Sequence, residues 1–197
     1  MIYICDFEDS FTFNIISLIQ SMAPQAPIEL VEKKQVLSVL KKLLEEEIPA
    51  VIILGPGPGH PSQLDYLNGV LRKLIDQNRH FIVGICLGHQ LIAQAFGAKI
   101  EHCREPVHGR ALEFQLSTEL ANELEMEKKI EVQSYNSLAV VWSDELATQL
   151  DQYLHCVKQG ELIILKNDKV LSYQFHPESI GTTFPEKFLR PVLKFLL

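Results

Sequence analysis

Short apolar runs alternate with segments of helical spacing in the first half of the chain, and this pattern restricts it to few folds. Residues 51–54 form a continuous apolar run, which is typical of a parallel strand covered on both faces. Residues 35–47 place apolar side chains three and four positions apart, as one buried helix face requires. Further strand-like apolar runs occur at 2–5, 28–31 and 81–83, and further helical segments occur at 11–22 and 64–75. The order predicts an α/β fold with an open, twisted, mostly parallel sheet flanked by helices.

The second half of the chain differs, because its apolar runs are shorter and are separated by turns. Strands are predicted at residues 111–116, 130–135, 138–142, 153–158, 162–166 and 170–175. We expect some of them to form an antiparallel extension of the sheet, followed by a final helix over 185–197. Since no repeat or linker divides the sequence and 197 residues suffice for a full core, we predict a single domain over 1–197.

Composition excludes several classes of function. A net charge of -7 gives no electrostatic support for binding a phosphate backbone, so nucleic acid is not an expected partner. No apolar run reaches transmembrane length, and residues 1–6 are interpreted as a first strand, not a signal peptide. The four cysteines are scattered, without the spacing of a metal site or a disulfide framework. We therefore expect a reducing cytoplasm, where thiols stay free.

A cysteine between two glycines lies at a predicted strand-to-helix turn. Residues 84–90 read Gly-Ile-Cys-Leu-Gly-His-Gln, between a strand-like run and a helix-like run. Gly84 and Gly88 remove side chains that would collide in so tight a turn. Cys86 would then lie at the helix N-terminus, where backbone N–H groups and the helix dipole favour a thiolate. The segment predicts a nucleophile elbow, with the Leu87 N–H as a donor to an oxyanion.

A histidine and a carboxylate far along the chain supply the groups that such a thiol needs. By itself, a Gly-x-Cys-x-Gly segment more often holds a cysteine packed as a small apolar residue. Residues i and i+2 of an extended segment face the same side, so His176 and Glu178 are presented together. If their strand neighbours the strand before Cys86, His176 can deprotonate the thiol and Glu178 can orient the imidazole. The alternative is a turn histidine beside a surface glutamate.

A glycine-proline loop follows the apolar strand at 51–54. Residues 55–61 read Gly-Pro-Gly-Pro-Gly-His-Pro and lie at the strand end where open α/β sheets bind ligands. No Gly-Lys-Ser/Thr follows, so the loop is not a P-loop. Its glycines expose backbone N–H groups, which suits a second oxyanion donor. Without a nucleophile nearby, a simple turn would be the better interpretation.

Structural roles are predicted for the remaining histidines and for several aromatic residues. His89 lies beside the nucleophile, but a sequence neighbour need not point into the site, and we favour a structural role. Four histidines have no partner visible in the sequence: His60, His80, His102 and His155. Core positions are predicted for Trp142 and Phe175, and also for Tyr135, for which a place near the predicted site is the alternative.

Together these segments resemble the class I, triad-type glutamine amidotransferases, with the strongest match to the small subunit shared by anthranilate synthase and 4-amino-4-deoxychorismate synthase. The resemblance covers essentially the whole chain. Residues 6–14 resemble that group's N-terminal pattern Asp-Asn-Tyr-Asp-Ser-Phe-Thr-Tyr-Asn. The other matching segments follow in the expected order, at 55–59, 84–90, 108–110 and 174–179.

The resemblance implies hydrolysis of L-glutamine to glutamate and ammonia. Cys86 would form a γ-glutamyl thioester, His176 would move protons, and Glu178 would complete the triad. The implied substrate-binding residues, with Gly57 and Leu87 as oxyanion donors, are Gly57, Pro58, Gly59, Leu87, Gln90, Ser137 and Leu138. Ammonia would pass through a channel to a synthase subunit that acts on chorismate. The resemblance implies no metal and no cofactor.

The sequence departs from the family pattern at several positions. The family segment Arg-Tyr-His-Ser-Leu reads Ser-Tyr-Asn-Ser-Leu at 134–138. Arg110 replaces a usual lysine and keeps the charge with a different geometry. His108 resembles a family histidine near the subunit interface, although an exposed loop residue is an equal alternative. Further differences are Phe7 and Glu8 for Asn and Tyr, and Gly181 for a larger apolar residue.

Two other functions stay open at this stage. One is a related triad hydrolase, such as a γ-glutamyl hydrolase, which the continuation Leu-Gly-His-Gln at 87–90 disfavours. The other is a non-catalytic binding subunit that retains the fold. The intact Cys86, His176 and Glu178 argue against it, while the altered segment 134–136 keeps it open. The sequence does not separate the anthranilate and aminodeoxychorismate pathways, and one subunit can serve both.

Overall fold

The computed structural model describes residues 1–106 and 109–196, with the backbone alone at position 110. The helices are α1 (Thr12–Met22), α2 (Val36–Glu45), α3 (Asn68–Asp76), α4 (Leu87–Ala95), α5 (Thr118–Leu124), α6 (Asp144–Gln149) and α7 (Pro185–Leu196), with 3-10 turns at Lys33–Gln35 and Pro61–Leu67. The strands are β1 (Ile2–Asp6), β2 (Ile28–Glu32), β3 (Val51–Leu54), β4 (Phe81–Ile85), β5 (Ile100–His102), β6 (Arg110–Gln115), β7 (Lys129–Ser134), β8 (Leu138–Val141), β9 (Leu154–Lys158), β10 (Glu161–Lys166) and β11 (Val170–Tyr173). Among these, no helix is long and apolar enough to span a membrane.

A nine-stranded mixed sheet organises the molecule, in the order β2-β1-β3-β4-β11-β10-β8-β5, with β9 also paired to β10. The strands from β2 to β11 run parallel to one another. Those from β10 onward pair in antiparallel fashion. Strands β6 and β7 form a separate two-stranded antiparallel sheet. The predicted α/β architecture, a mostly parallel sheet with an antiparallel extension, is confirmed.

Strand β3 explains why helices cover both faces of the sheet. Its four side chains are fully buried, and successive side chains of a strand point to opposite faces. Ile52 and Leu54 join an apolar cluster with residues of α2, α3 and α4. Val51 and Ile53 join a second cluster with residues of α1, α5 and α7. A strand that is apolar at every position therefore requires a helix layer on each side.

The structure differs from the sequence prediction mainly at element ends. The helix predicted over 64–75 is a 3-10 turn followed by α3, because the backbone at Leu64 is not helical (φ -117°, ψ 18°). The helix predicted over 35–47 ends at Glu45, since Glu46 is extended (φ -76°, ψ 134°). The last predicted strand, 170–175, ends at Tyr173, and His176 instead forms an isolated bridge with Gln133 of β7.

Three short elements were absent from the prediction: α5, α6 and β5. Helices α5 and α6 are too short to show a clear period, although each begins at a serine N-cap. The Ser117 hydroxyl accepts a hydrogen bond from the Leu120 N–H, and Ser143 accepts from Leu146. Such serine caps were the available signal.

Candidate active site

Cys86 occupies a strained turn between β4 and α4. Its backbone angles, φ 52° and ψ -101°, are rarely adopted by residues with a side chain. A Cβ atom added at Gly84 would lie 2.6 Å from the Gly88 carbonyl oxygen. One added at Gly88 would lie 2.0 Å from the Leu54 carbonyl oxygen. The close approach of backbone to backbone thus requires both glycines, and it presents the half-buried Cys86 thiol at the end of β4.

His176 and Glu178 follow β11, which is the parallel neighbour of β4. The register pairs Tyr173 with Ile85, and the Cys86 N–H donates to the Tyr173 carbonyl at 2.8 Å. The predicted adjacency of the two strands is therefore present. The Nδ1–H of His176 donates to Oε1 of Glu178 at 2.7 Å, with the two side chains 3% and 0% exposed. The histidine and carboxylate form a buried pair beside the nucleophile turn.

Two aromatic rings flank the imidazole of His176. The centroid of the Phe11 ring lies 4.8 Å from it, and that of Tyr135 lies 5.2 Å from it in an edge-on arrangement. The Tyr135 hydroxyl is 3.1 Å from Oγ of Ser179, within hydrogen-bond distance. These contacts fix the plane of the imidazole. Because Nδ1 is engaged by Glu178, Nε2 is the ring nitrogen left for an interaction with Cys86.

The protonation of His176 reflects this environment. Burial alone lowers the pKa of the imidazole, but the interaction with the Cys86 side chain and the hydrogen bond and charge of Glu178 raise the pKa to about 10. Opposite charges that are close and shielded from water favour the charged form of each partner. The arrangement therefore favours the imidazolium form of His176.

One cavity gathers the predicted substrate-binding residues around Cys86. Its volume of about 250 Å³ lies near the lower end of the range of small-molecule sites. The predicted residues that line it are Gly57, Pro58, Gly59, Cys86, Leu87, Gln90, Ser137, Leu138 and His176. Glu178 does not line the cavity and is connected to it through His176.

Main-chain groups of two loops meet beside the thiol. A Cβ atom added at Gly57 would lie 2.5 Å from Cβ of Phe7 and 2.7 Å from Cδ2 of Leu87, so glycine permits this approach. Leu87 is the first residue of α4, and the first N–H groups of a helix have no acceptor within the helix. Gly57 and Leu87 thus bring backbone groups to the cavity wall next to Cys86.

A chain of side-chain amides lines the same region. Nε2 of Gln90 donates to the Leu138 carbonyl at 3.0 Å and to Oε1 of Gln174 at 3.1 Å. Nε2 of Gln174 lies 3.9 Å from Sγ of Cys86. The Leu138 carbonyl also accepts from Nδ2 of Asn136 at 3.0 Å. Segment 134–138, where the sequence departs from the family pattern, is therefore linked to the nucleophile.

Comparison with known proteins identifies the family. The model of the class-I glutamine amidotransferase family matches residues 3–194. The chain belongs to this family. Anthranilate synthase component 2 of Helicobacter pylori strain 26695 is 31% identical, with 99% of this chain and 97% of the relative aligned. The protein of the same name from Saccharolobus solfataricus is 33% identical, with 94% of each chain aligned. The aminodeoxychorismate/anthranilate synthase component 2 of Bacillus subtilis is 29% identical, with 96% of this chain and 94% of the relative aligned.

Solved structures share the amidotransferase fold. The glutaminase domain of Trypanosoma brucei CTPS, with bound acivicin, superposes with a TM-score of 0.72 at 14% identity, covering 97% of this chain and 91% of that one. A glutamine amidotransferase from Thermotoga maritima gives a TM-score of 0.66 at 14% identity, covering 98% and 80%. At such identity these likenesses establish the fold alone.

The amidotransferase cavity also contains Asp9, Phe11 and Asn136, which the sequence predictions did not place there, and Tyr135, for which this place was the alternative to a core position. The core position predicted for Tyr135 is wrong, because its half-buried ring borders the cavity and contacts His176. Asp9 and Phe11 follow β1, so their place after a parallel strand was the signal that could have found them. Asn136 gave no such local signal, since the loop after β7 folds over the site from the second sheet.

The structure also bears on the roles predicted for the remaining histidines and aromatic residues. His89 is fully buried, where its Nε2–H donates to the Leu162 carbonyl at 3.0 Å and its Nδ1 accepts from the Ser172 hydroxyl at 2.8 Å. Burial lowers its pKa to about 4, although the Leu162 contact opposes this. The structural role predicted for His89 is confirmed. Phe175 is buried as predicted, Trp142 is half-buried at the core edge, and His108 lies outside the described residues.

Gly181 lies against the side chain of Gln133, the residue that bridges to His176. A Cβ atom at this position would lie 2.1 Å from Nε2 and 2.4 Å from Cγ of Gln133. The Gln133 carbonyl accepts the His176 N–H at 2.9 Å. The Gln133 N–H in turn donates to Oγ1 of Thr182 at 3.0 Å. The side chain of Gln133 thus fills the space that glycine leaves, and it belongs to the strand that anchors His176.

The described residues contain no cluster of three or more His, Cys, Asp or Glu side chains suited to a metal ion. All four cysteines are free, and three of them are buried. Burial raises the pKa of Cys5 to about 12 and also raises the pKa of Cys103 and Cys156. Of the four thiols, Cys86 alone lines the cavity.

Proposed function

We propose that this amidotransferase is the glutaminase subunit of a chorismate-using synthase, with Cys86, His176 and Glu178 as its catalytic triad. The observation that carries the proposal is the convergence of a strained, glycine-flanked Cys86 and the buried His176–Glu178 pair at one cavity. A nucleophile, a base and a group that orients the base are the parts that covalent acyl transfer requires.

The first half of the reaction forms a thioester. Nε2 of His176 takes the proton of the Cys86 thiol, and the raised pKa of His176 supports the resulting ion pair. The sulfur attacks the side-chain carboxamide carbon of glutamine, and the carbonyl oxygen becomes an oxyanion. The N–H groups of Gly57 and Leu87 stabilise this oxyanion. The C–N bond then breaks as His176 protonates the leaving nitrogen, giving ammonia and a γ-glutamyl thioester.

The second half hydrolyses the thioester. His176, now neutral, accepts a proton from a water molecule whose oxygen attacks the thioester carbon. The same two N–H groups hold the second oxyanion. The C–S bond breaks, glutamate forms, and the sulfur leaves as a thiolate beside the imidazolium. Glu178 keeps Nδ1 of the base protonated throughout, which leaves Nε2 free to exchange protons.

Glutamine is held by the cavity wall formed by Pro58, Gly59, Gln90, Ser137 and Leu138. The NH₂ group of Gln90 is used by the Leu138 carbonyl and by Gln174, so its oxygen is the atom left for the substrate. That oxygen suits a donor, either the carboxamide nitrogen or the α-ammonium group. Asp9, at the same cavity, offers a negative charge to the α-ammonium group.

The named relatives support the proposed partner, and the free thiol at Cys86 supports the proposed compartment. The relatives named anthranilate synthase component 2 and aminodeoxychorismate/anthranilate synthase component 2 align over nearly their full length. By analogy, a chorismate-binding component 1 receives the ammonia, in tryptophan or folate biosynthesis. A reducing cytoplasm is proposed because the mechanism requires a free thiol at Cys86. A single domain over 1–197 stays a prediction.

The proposal is tested by measuring glutamate release from L-glutamine, with and without each candidate synthase subunit. Cys86→Ser should abolish release while the protein still folds and binds its partner. Cys156→Ser is the matched control, because this buried thiol lies on the edge strand β9 and should leave release unchanged. Release by Cys86→Ser near the wild-type rate would refute the assignment of the nucleophile.

The alternatives give different results in the same assay. A non-catalytic binding subunit would release no glutamate with any synthase, although it would still bind one. A γ-glutamyl hydrolase would cleave γ-glutamyl peptides faster than glutamine and would not respond to a synthase. A synthase-dependent rise in release identifies the partner, because docking of a partner commonly completes closure of such a site.

A further inference from the structure

Gln174 is a buried amide to which the sequence analysis assigned no role. It follows β11 by one residue and is 2% exposed. Its backbone N–H donates to the Ile163 carbonyl at 2.9 Å, which holds it next to β10. Its side-chain Nε2 is directed at Sγ of Cys86 at 3.9 Å. A buried amide next to a reacting sulfur calls for an explanation beyond packing.

The direction of this amide is set by its neighbours. The Leu138 carbonyl can only accept, so the Gln90 atom that lies 3.0 Å from it must be the NH₂ group. The same NH₂ group lies 3.1 Å from the Gln174 side chain, which must therefore present its oxygen there. The NH₂ group of Gln174 is left facing Cys86. Asn136 anchors this chain of amides by donating to the same Leu138 carbonyl.

We propose that the Gln174 amide donates a hydrogen bond to the Cys86 thiolate, and that the Leu138–Gln90–Gln174 chain holds this donor in place. The inference rests on the proposed function, because it concerns the same nucleophile. A hydrogen bond to the charged form of a group favours that form, and bonds to charged groups are stronger than those between neutral groups. Gln174 is thus a catalytic residue that contacts the reacting sulfur.

The amide supplies something that His176 cannot supply alone. An imidazolium stabilises a thiolate but can also return its proton to it. A carboxamide stabilises the thiolate without being able to protonate it. The amide therefore acts both when the sulfur attacks and when it leaves the thioester, independently of the proton that His176 carries. It also restricts the rotation of Sγ about the Cα–Cβ bond of Cys86, whose backbone is strained.

The test is the pH dependence of Cys86 alkylation by iodoacetamide, followed by mass spectrometry of the labelled peptide. The reagent reports on the thiolate, and the other three cysteines are buried with raised pKa values. The titratable groups around the sulfur are His176, with Glu178 behind it, and Asp9 on the cavity wall. They are unchanged in every variant, so a shift reports on the amides.

Gln174→Met keeps the length of the side chain and removes the amide. The midpoint of its alkylation profile should rise by about one pH unit, which is roughly a tenfold slower reaction below the midpoint. Gln90→Met removes the group that orients Gln174 and should raise the midpoint by a smaller amount. The matched control is Gln94→Met, one turn further along α4, where Nε2 bonds Asp65 away from the site. Its profile should match that of the wild type.

The outcomes separate the possible failures. A midpoint in Gln174→Met within about 0.3 pH units of the wild type, with the melting temperature retained, overturns the proposal. If Gln174→Met does not fold, an unchanged alkylation profile in Gln90→Met overturns the proposal. Shifted midpoints in a protein that releases no glutamate would support the amide chain and refute the glutaminase. Glutamate release with unshifted midpoints would refute the amide chain alone.

Discussion

At the scale of single residues, the side chain of Glu178 shows how the site is polarised. Its side chain is 0% exposed, Oε1 accepts from His176, and Oε2 has no hydrogen-bond partner within the part of the chain that the structure describes. A buried carboxylate with so few partners is costly unless a positive charge stands beside it. The imidazolium of His176 supplies that positive charge.

The first prediction concerns this pair. Glu178→Gln removes the negative charge and should lower the pKa of His176 from its value of about 10. Glutamate release should fall by about 100-fold or more, because the imidazolium loses the carboxylate that stabilises and orients it. NMR titration of the His176 ring and steady-state assays check the two effects.

Glu113→Gln is the matched control for this change. Glu113 is an exposed residue of β6, and its carboxylate pairs with Lys129 on the surface. Its replacement should leave both the titration and the rate unchanged. A Glu178→Gln variant that keeps the wild-type rate would remove Glu178 from the triad.

At the scale of elements, the turn between β4 and α4 depends on glycine at two positions for steric reasons. The helix begins so close to β3 that the Gly88 N–H donates to the Gly55 carbonyl at 3.2 Å. This contact brings the glycine-proline loop and the nucleophile turn together. The turn therefore sets the geometry of two loops. Its steric requirements can be tested by measuring stability, without an activity assay.

The second prediction compares two helix glycines. Gly88→Ala places a Cβ atom 2.0 Å from the Leu54 carbonyl oxygen and should lower the free energy of unfolding by about 3 kcal/mol or more. Gly69→Ala, at an exposed position of α3, meets no atom within 4 Å and should raise it by about 0.4–1 kcal/mol. Urea unfolding measures both, and a Gly88→Ala protein as stable as the wild type would contradict the turn geometry.

The third prediction concerns the link that His89 makes between α4 and the sheet. His89→Leu leaves the Leu162 carbonyl and the Ser172 hydroxyl without their buried partner, which should cost about 2–4 kcal/mol of the free energy of unfolding. His102→Leu, on exposed β5, should change it by less than about 0.5 kcal/mol. Equal effects of the two substitutions, measured by urea unfolding, would show that the buried bonds contribute nothing.

At the scale of the whole molecule, the sequence predicts the parallel half and the adjacency of the strands before Cys86 and His176 better than the far wall of the site. Continuous apolar runs such as 51–54 and the glycine-flanked Cys86 carry local signals, and sheet topology then brings His176 beside Cys86. Tyr135 and Asn136 reach the cavity through a loop between β7 and β8, whose position depends on packing between distant segments. Local periodicity contains no information on that packing, so the place of Asn136 was missed.

The fourth prediction concerns the contributions of two histidines to the pH dependence of stability. Below the ordinary histidine pKa of 6.5, the unfolded chain binds a proton at His89 that the folded chain refuses until about pH 4, so stability falls as pH decreases across this range. Above 6.5, folded His176 keeps a proton that the unfolded chain loses, so its contribution falls as pH rises toward 10.

Unfolding free energies measured from pH 4 to 10 check this profile by difference. His89→Leu should flatten the acid limb by about 3 kcal/mol, since one pKa unit corresponds to about 1.4 kcal/mol. His176→Leu should flatten the alkaline limb. Difference curves that do not depend on pH would contradict the assigned protonation states.

The shared volume of Gly181 and Gln133 has a consequence for engineering. Any side chain introduced at 181 must displace that of Gln133, whose own carbonyl accepts the His176 N–H. A chimera that imports the C-terminal loop of a homologue, with a bulkier residue there, would therefore need a different conformation of the Gln133 side chain. Loop and strand share one volume, so recombination boundaries are best placed outside both.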